Sequence, residues 1–390
     1  MYVEAPVSGS GVEDRMRVLV VSLSTYSAPY NDGKLGALAS GLEALTVVSG
    51  DVETLWGSDN PTRAGDGYHV EILPLRFARS NAVAQLVGLD RIVEEARPTL
   101  VHVECEPWQG VAVQCLKVAH RLRVPIGVLF AECGPRLRGP GGALRRARGS
   151  RVLKRCDYAV GWSSGSTRVA QRLAPGIRTE TFPATGVALG TQPTGSAEEW
   201  FGAGSAGLPK LAFVGRFAEE KGIDDFLALS DELAIRLPLR VALAGGEGTH
   251  EQVQQWVAER PWASLHGVIP RTRVGSLLSV SDVLVCPSRT TSFAEEQFGK
   301  AAVEAMAVGT PVFAYDCGAL GEVIGRGGVV VAEGARTRLV DELERHFTEE
   351  PEVRADLAAA AREQVTRFAD DALANRLLDL WSAYHPLRNR

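Results

Sequence analysis

The six cysteines, Cys105, Cys115, Cys133, Cys156, Cys286 and Cys317, include no CxxC pair, and no histidine cluster accompanies them. That removes the spacing of a zinc site or a dithiol redox site. Cysteines inside apolar runs behave as small hydrophobes, so reduced thiols and a cytoplasmic location are expected. No apolar run approaches the roughly 18 residues of a membrane span. Residues 1–15 are polar and contain Gly and Ser, so they read as a loose tail rather than a secretion signal. No GxGxxG follows the first apolar run, which leaves a nicotinamide cofactor without support. Repeats, low-complexity tracts and an Asp/Asn metal triad are also missing. Excess positive charge is lacking too, with a formal net charge of −5, so no nucleic-acid partner is expected. Lysine is scarce: six of the 42 basic residues, the rest being arginine. Against that background each lysine is a candidate for a specific role.

What remains is an ordinary globular balance of 45% hydrophobic and 23% charged residues over 390 positions, enough for two domains. Continuous apolar runs at residues 17–23, 45–49, 69–75, 100–104, 126–130 and 158–162 suit strands buried on both faces of a parallel sheet. Helical periodicity lies between them, at 82–96 and 111–122. The pattern pauses where Gly, Ser, Thr and Pro dominate, and a linker is placed at 191–208. A second series follows, with strands at 210–215, 239–244, 264–269, 282–286, 311–315 and 328–331. Its helices are expected at 223–235, 299–307 and 337–347, and residues 353–384 read as helical throughout. The expected class is α/β: two Rossmann-like, doubly wound domains facing each other across a cleft. The expected division is a first domain at 16–190, a second at 209–366, and a C-terminal helix at 367–390 packing back on the first.

The chemistry concentrates in residues 295–311. Gly299 opens a helix of small apolar residues, whose N-terminus would offer free N–H groups to a phosphate or a sugar hydroxyl. Glu304 stands inside that helix, where a carboxylate is costly unless something donates to it; a vicinal diol such as a ribose would. Glu296 lies in the loop ahead. A second block, residues 213–222, reads as strand, Gly turn and helix start, with Arg216 and Lys221 spaced to clamp two phosphates.

The first block closely resembles the Glu-x7-Glu signature of retaining glycosyltransferases of family 4, through Glu296, Phe298, Gly299, Glu304, Ala305, Met306, Ala307, Gly309, Pro311 and Val312. Gly318 and Glu322 fall where that family has a downstream Gly and Glu. The second block is similar to the family's Gly-Arg-x4-Lys-Gly motif. The resemblance implies the GT-B fold and assigns the donor sugar to Glu296 and the nucleotide ribose to Glu304. It also implies neutralisation of the leaving diphosphate by Arg216 and Lys221, and backbone at Gly215, Phe298, Gly299, Lys300 and Ala301 lining the donor. Residues 267–271 resemble the stretch whose backbone reads the base, making Ile269 and Arg271 base-side candidates; simple turn chemistry is the alternative.

The first half resembles the family less. A Gly-rich loop is reduced to Gly33 with Lys34 beside it, either a donor contact or an ordinary turn. Glu104, Glu106 and Trp108 end a strand at the expected cleft and are candidates for sugar or acceptor contacts. Family members often place a His after the next strand; here Glu132 stands in that region as a substitute candidate. Residues 136–155 hold eight basic and no acidic residues, either a solvated helix face or a patch for an anionic acceptor or lipid headgroups. Peripheral membrane contact is not the favoured reading. The expected function is transfer of a hexosyl group from a UDP- or GDP-sugar to a small polar acceptor, without metal or cofactor. The rival readings are a GT-B epimerase, a pseudo-glycosidic coupling enzyme, or a non-catalytic nucleotide-sugar-binding protein. Oligomeric state is not legible.

Overall fold

The computed structural model describes residues 16–23, 32–51, 64–65, 67–190 and 193–384. The expected tail at 1–15, the first two residues of the expected linker and the last six residues lie outside them. Among the described residues the first half carries ten strands: β1 (Arg17–Ser22), β2 (Ala44–Gly50), β3 (Ala64–Gly65), β4 (Tyr68–Leu73), β5 (Leu75–Arg76), β6 (Gln85–Leu86), β7 (Leu100–Glu104), β8 (Ile126–Phe130), β9 (Tyr158–Gly161) and β10 (Arg178–Thr181). Eight of them form one sheet in the order β10-β9-β8-β7-β1-β2-β4-β3, and β5 pairs with β6 apart from it. Every pairing in the large sheet is parallel except β3 with β4. The sequence explains this: β1, β7 and β8 are buried nearly end to end, as runs of Val, Leu and Ile must be when helices cover both faces.

The second half carries β11 (Lys210–Val214), β12 (Arg240–Ala244), β13 (Ala263–Leu265), β14 (Val283–Cys286), β15 (Val312–Tyr315) and β16 (Gly328–Val331). They form an all-parallel sheet in the order β13-β12-β11-β14-β15-β16. Strand order reverses between β1 and β7 in one sheet and between β11 and β14 in the other. A doubly wound sheet leaves a crevice at the carboxyl ends of such neighbours, and it is there that the loops after β11 and β14 run.

Four expectations need correction. The helix expected at 82–96 begins only at Leu89; before it lies β6, whose Leu86 N–H and C=O are both bonded by the Gln114 side-chain amide, which takes the place of a partner strand. The strand expected at 264–269 ends at Leu265, ahead of Gly267. The linker expected at 191–208 contains a short helix, Ala197–Phe201, whose Trp200 and Phe201 are buried in the second half's core. The C-terminal stretch is not one helix. Pro351–Val365 ends in a tight turn, Thr366–Phe368, and a separate helix, Asp370–Ser382, departs from Ala369.

That last helix returns to the first half. Leu373, Ala374, Leu377, Leu380 and Trp381 join Leu35, Leu38, Val47 and Tyr158 in one core cluster. Where it crosses over, Val187 and Ala369 bridge in parallel, with Val187 N–H donating to Phe368 O and Asp370 N–H to Val187 O. Among the described residues no helix is long and apolar enough to cross a membrane.

Candidate functional site

The loop after β11 carries Arg216, then a single helical turn, Glu219–Lys221, closed by Gly222. Gly222 has φ +68 and its backbone approaches Pro287 so closely that a Cβ would sit 1.8 Å from the Pro287 carbonyl oxygen. Only glycine fits there. The loop after β11 is thereby pressed against the loop after β14, and Lys221 is delivered to Glu296: its Nζ donates to Glu296 Oε2 at 2.6 Å. Gly299 N–H donates to Glu296 Oε1 at 3.1 Å, and Ser288 Oγ approaches Oε2 at 3.4 Å. Burial works to raise the Glu296 pKa, but the Lys221 ammonium and the N–H groups of Gly299 and Phe298 override it and hold the carboxyl below its ordinary value. Glu296 is thus an ionised acceptor. Arg216 pairs with Glu220 at the rim.

Behind this lies the helix Lys300–Val308, capped at its N-terminus by Gly299. Glu304 faces inward, and Arg271 Nε approaches its Oε1 at 3.3 Å. Burial dominates: it pushes the Glu304 pKa up to about 7, against the opposing pull of Arg271. The neighbouring Cys286 thiol is pushed up to about 12 by burial and by Glu296, so it is an inert wall.

These groups share one cavity of about 560 Å³, within the size range of small-molecule sites. Of the expected donor-side residues, Gly215, Arg216, Lys221, Ile269, Arg271, Glu296, Gly299, Lys300, Ala301 and Glu304 all line it. Phe298 does not; it is buried between Trp162 and Phe368. Gly33 and Lys34 do not either. Lys34 is 1% exposed, donating to Glu104 Oε1 at 2.9 Å and to the Ala184 carbonyl, and Gly33 lies against Asp370. Lys34 and Glu104 neutralise each other inside the first half, which removes both from the set of ligand contacts. Ser288 and Cys286 also line the cavity, although no motif points to them; their place at the end of β14, next to the strand-order reversal, is the signal that marks them.

Of the remaining first-half candidates, Trp108 is buried in the core and cannot stack on a sugar. Glu106 Oε1 accepts from the Ala131 and Glu132 N–H groups; burial and the nearby Glu132 push its pKa up to about 8. Glu132 does reach the cleft. Its Oε1 accepts from Gly134 and Arg136 N–H groups at 2.9 and 3.0 Å. It lines a smaller cavity, about 150 Å³, together with Glu295, Glu296, Arg216 and Lys221. Both halves therefore face one cleft, with the cations of the second half between the two cavities. The basic stretch forms the helix Gly139–Leu153 and its flanks, most of its cations exposed.

Residues 199–364 match the family described as glycosyl transferases group 1. The second half of this chain is a group 1 glycosyltransferase domain. Its Glu296 and Glu304 lie inside the matched span, as do Arg216 and Lys221. The chain is 31% identical over 187 residues to a 2-deoxystreptamine N-acetyl-D-glucosaminyltransferase of Streptomyces fradiae, covering 44% of this chain and 42% of that one. It is 29% identical over 301 residues to a glycogen synthase of Mycobacterium tuberculosis, covering 73% and 67%. The fold is GT-B: a sucrose-phosphate synthase from Thermosynechococcus elongatus superposes with a TM-score of 0.74 over 95% of this chain and 99% of that one, at 18% identity. The group 1 domain is thus set in a two-domain frame.

Proposed function

We propose that the chain is a retaining hexosyltransferase that moves a hexosyl group from a UDP- or GDP-sugar to a small polar acceptor, without a metal ion. The observation that carries this reading is the convergence of Arg216, Lys221, Glu296, Glu304 and the helix N-terminus at Gly299 on one cavity. When the bond from the anomeric carbon to the diphosphate breaks, its electron pair stays on the phosphate oxygen. Arg216, Lys221 and the backbone at the start of the helix Lys300–Val308 stabilise that charge. Glu296 accepts hydrogen bonds from sugar hydroxyls, and Glu304 accepts from the ribose diol once Arg271 yields. The departing phosphate oxygen takes the acceptor proton on the face it leaves, so retention needs no protein base.

The name of the Streptomyces fradiae relative points to 2-deoxystreptamine as acceptor, which supports a small polar metabolite. A glucan acceptor is the second reading, favoured by the longer alignment with glycogen synthase. Thermal shift with UDP-, GDP-, ADP- and dTDP-sugars selects the donor. Incubation of that donor alone, with 2-deoxystreptamine, or with short maltooligosaccharides then separates epimerisation, small-molecule transfer and glucan extension. Absence of a shift with every nucleotide sugar would overturn the proposal.

A further inference from the structure

The turn that carries Glu296 is held from the opposite side of the cleft. At one end, Phe298 is 4% exposed and lies edge-on to Trp162, the residue after β9 in the first half, with ring centroids 6.1 Å apart at 84°. Its other side meets Phe368 of the crossover turn at 5.4 Å and 77°. At the other end, Ala319 N–H donates to the Glu296 carbonyl at 2.8 Å. Gly318, at φ +58, lies so close that a Cβ would stand 2.1 Å from that same oxygen. This bracing segment continues into the helix Leu320–Ile324, whose Glu322 reaches into the first half. Its Oε2 accepts from Ser164 N–H at 2.9 Å, the first residue of the helix Ser164–Leu173. A carboxylate at a helix N-terminus is favoured by the unpaired N–H groups and the positive dipole end.

Both first-half anchors are consecutive with one strand. Trp162 follows directly on β9, Ser163 caps the following helix through Ser166 N–H, and Ser164 receives Glu322. One rigid edge of the first half therefore touches the second half on both flanks of Glu296, through an aromatic contact and a capping carboxylate.

We propose that Trp162 and Glu322 are positioning residues, forming a two-point bracket between the halves that holds Glu296, with the Gly299 N–H bonded to it, in the orientation needed for reaction. What Glu296 does once oriented rests on the transferase reading above; the bracket itself does not. The larger cavity is lined by second-half residues, so the bracket is expected to act on turnover and leave nucleotide affinity in place.

The test uses the full chain with Trp162→Ala, Trp162→Phe, Glu322→Ala and Glu322→Gln. Amide exchange of peptides spanning 294–300 is read by mass spectrometry without any ligand. Loss of either anchor is expected to speed exchange there by about tenfold, although Trp162 lies in the other half. The Phe and Gln variants keep a ring edge and an acceptor oxygen, and are expected to restore protection. In transfer assays with the donor chosen by thermal shift, both Ala variants are expected to lose ~10- to 100-fold in kcat with the donor Kd unchanged, the scale expected of a misplaced reacting group. Unchanged exchange at 294–300 in both Ala variants, or a loss confined to donor Kd, overturns the bracket. Faster exchange in a protein that binds no nucleotide sugar supports the bracket and overturns the transferase reading instead.

Discussion

Glu304 gives the sharpest prediction. In the nucleotide-free protein its carboxyl is held up at about 7 by burial. A ribose diol donates two hydrogen bonds, and only the carboxylate accepts both. Binding therefore selects the ionised form, which is about one tenth of the population at pH 6 and about nine tenths at pH 8. Affinity for the donor should rise roughly tenfold from pH 6 to pH 8, equivalent to ~1.4 kcal/mol, and level off above. The opposite sign applies to folding. A carboxyl raised from 4.5 to about 7 favours the folded state most below 4.5, and that contribution is lost as pH rises through 7. The assay is calorimetric titration at pH 6, 7 and 8 with the nucleotide sugar selected by thermal shift. A nucleotide sugar is preferable to the free diphosphate because its phosphates have no proton to lose in this range. Glu304→Gln should bind more weakly at pH 8 and show no slope. A flat profile in the parent protein, or a slope that survives Glu304→Gln, would refute the assignment of Glu304 to the ribose.

Two further outcomes are expected. Lys221→Ala removes the cation held 2.6 Å from Glu296; steady-state kinetics should show kcat/KM lower by about 100-fold or more, with a modest fall in melting temperature, because Glu296 loses its cation but keeps the Gly299 N–H. Lys34→Met strands Glu104 in the first-half core, so urea unfolding should show a loss of about 3–5 kcal/mol, while nucleotide affinity of the folded protein stays as it was. An unchanged urea midpoint would return Lys34 to the set of ligand contacts.

The second half is far more legible in the sequence than the first, for a physical reason. A nucleotide diphosphate needs cations, N–H groups and a diol acceptor at fixed spacing. Arg216, Lys221, Glu296 and Glu304 sit in two short segments where that spacing is local to the chain. The first half has no such local constraint. Lys34 and Glu104 are 70 residues apart, and nothing in the sequence says that they meet; each reads as an exposed functional group until the sheet brings β1 and β7 together. Trp108 reads as a stacking platform because its neighbours are acidic, yet its ring faces the helices of the core. The apolar runs locate most strands, since parallel strands are buried on both faces. Periodicity does not reveal that a glutamine side chain bonds the backbone at Leu86, nor that the C-terminal helix expected from 367 starts only at Asp370, after a break at Ala369.

That break has a consequence for how the molecule can be taken apart. The polypeptide passes between its halves twice, and Val187 beside Ala369 ties the two passages together. Severing the chain near residue 192 would still leave the halves tethered by the return passage. A chain ended at residue 364 would deprive the first half of Trp381 and its neighbours, so the two lobes are not interchangeable cassettes but share a common seam.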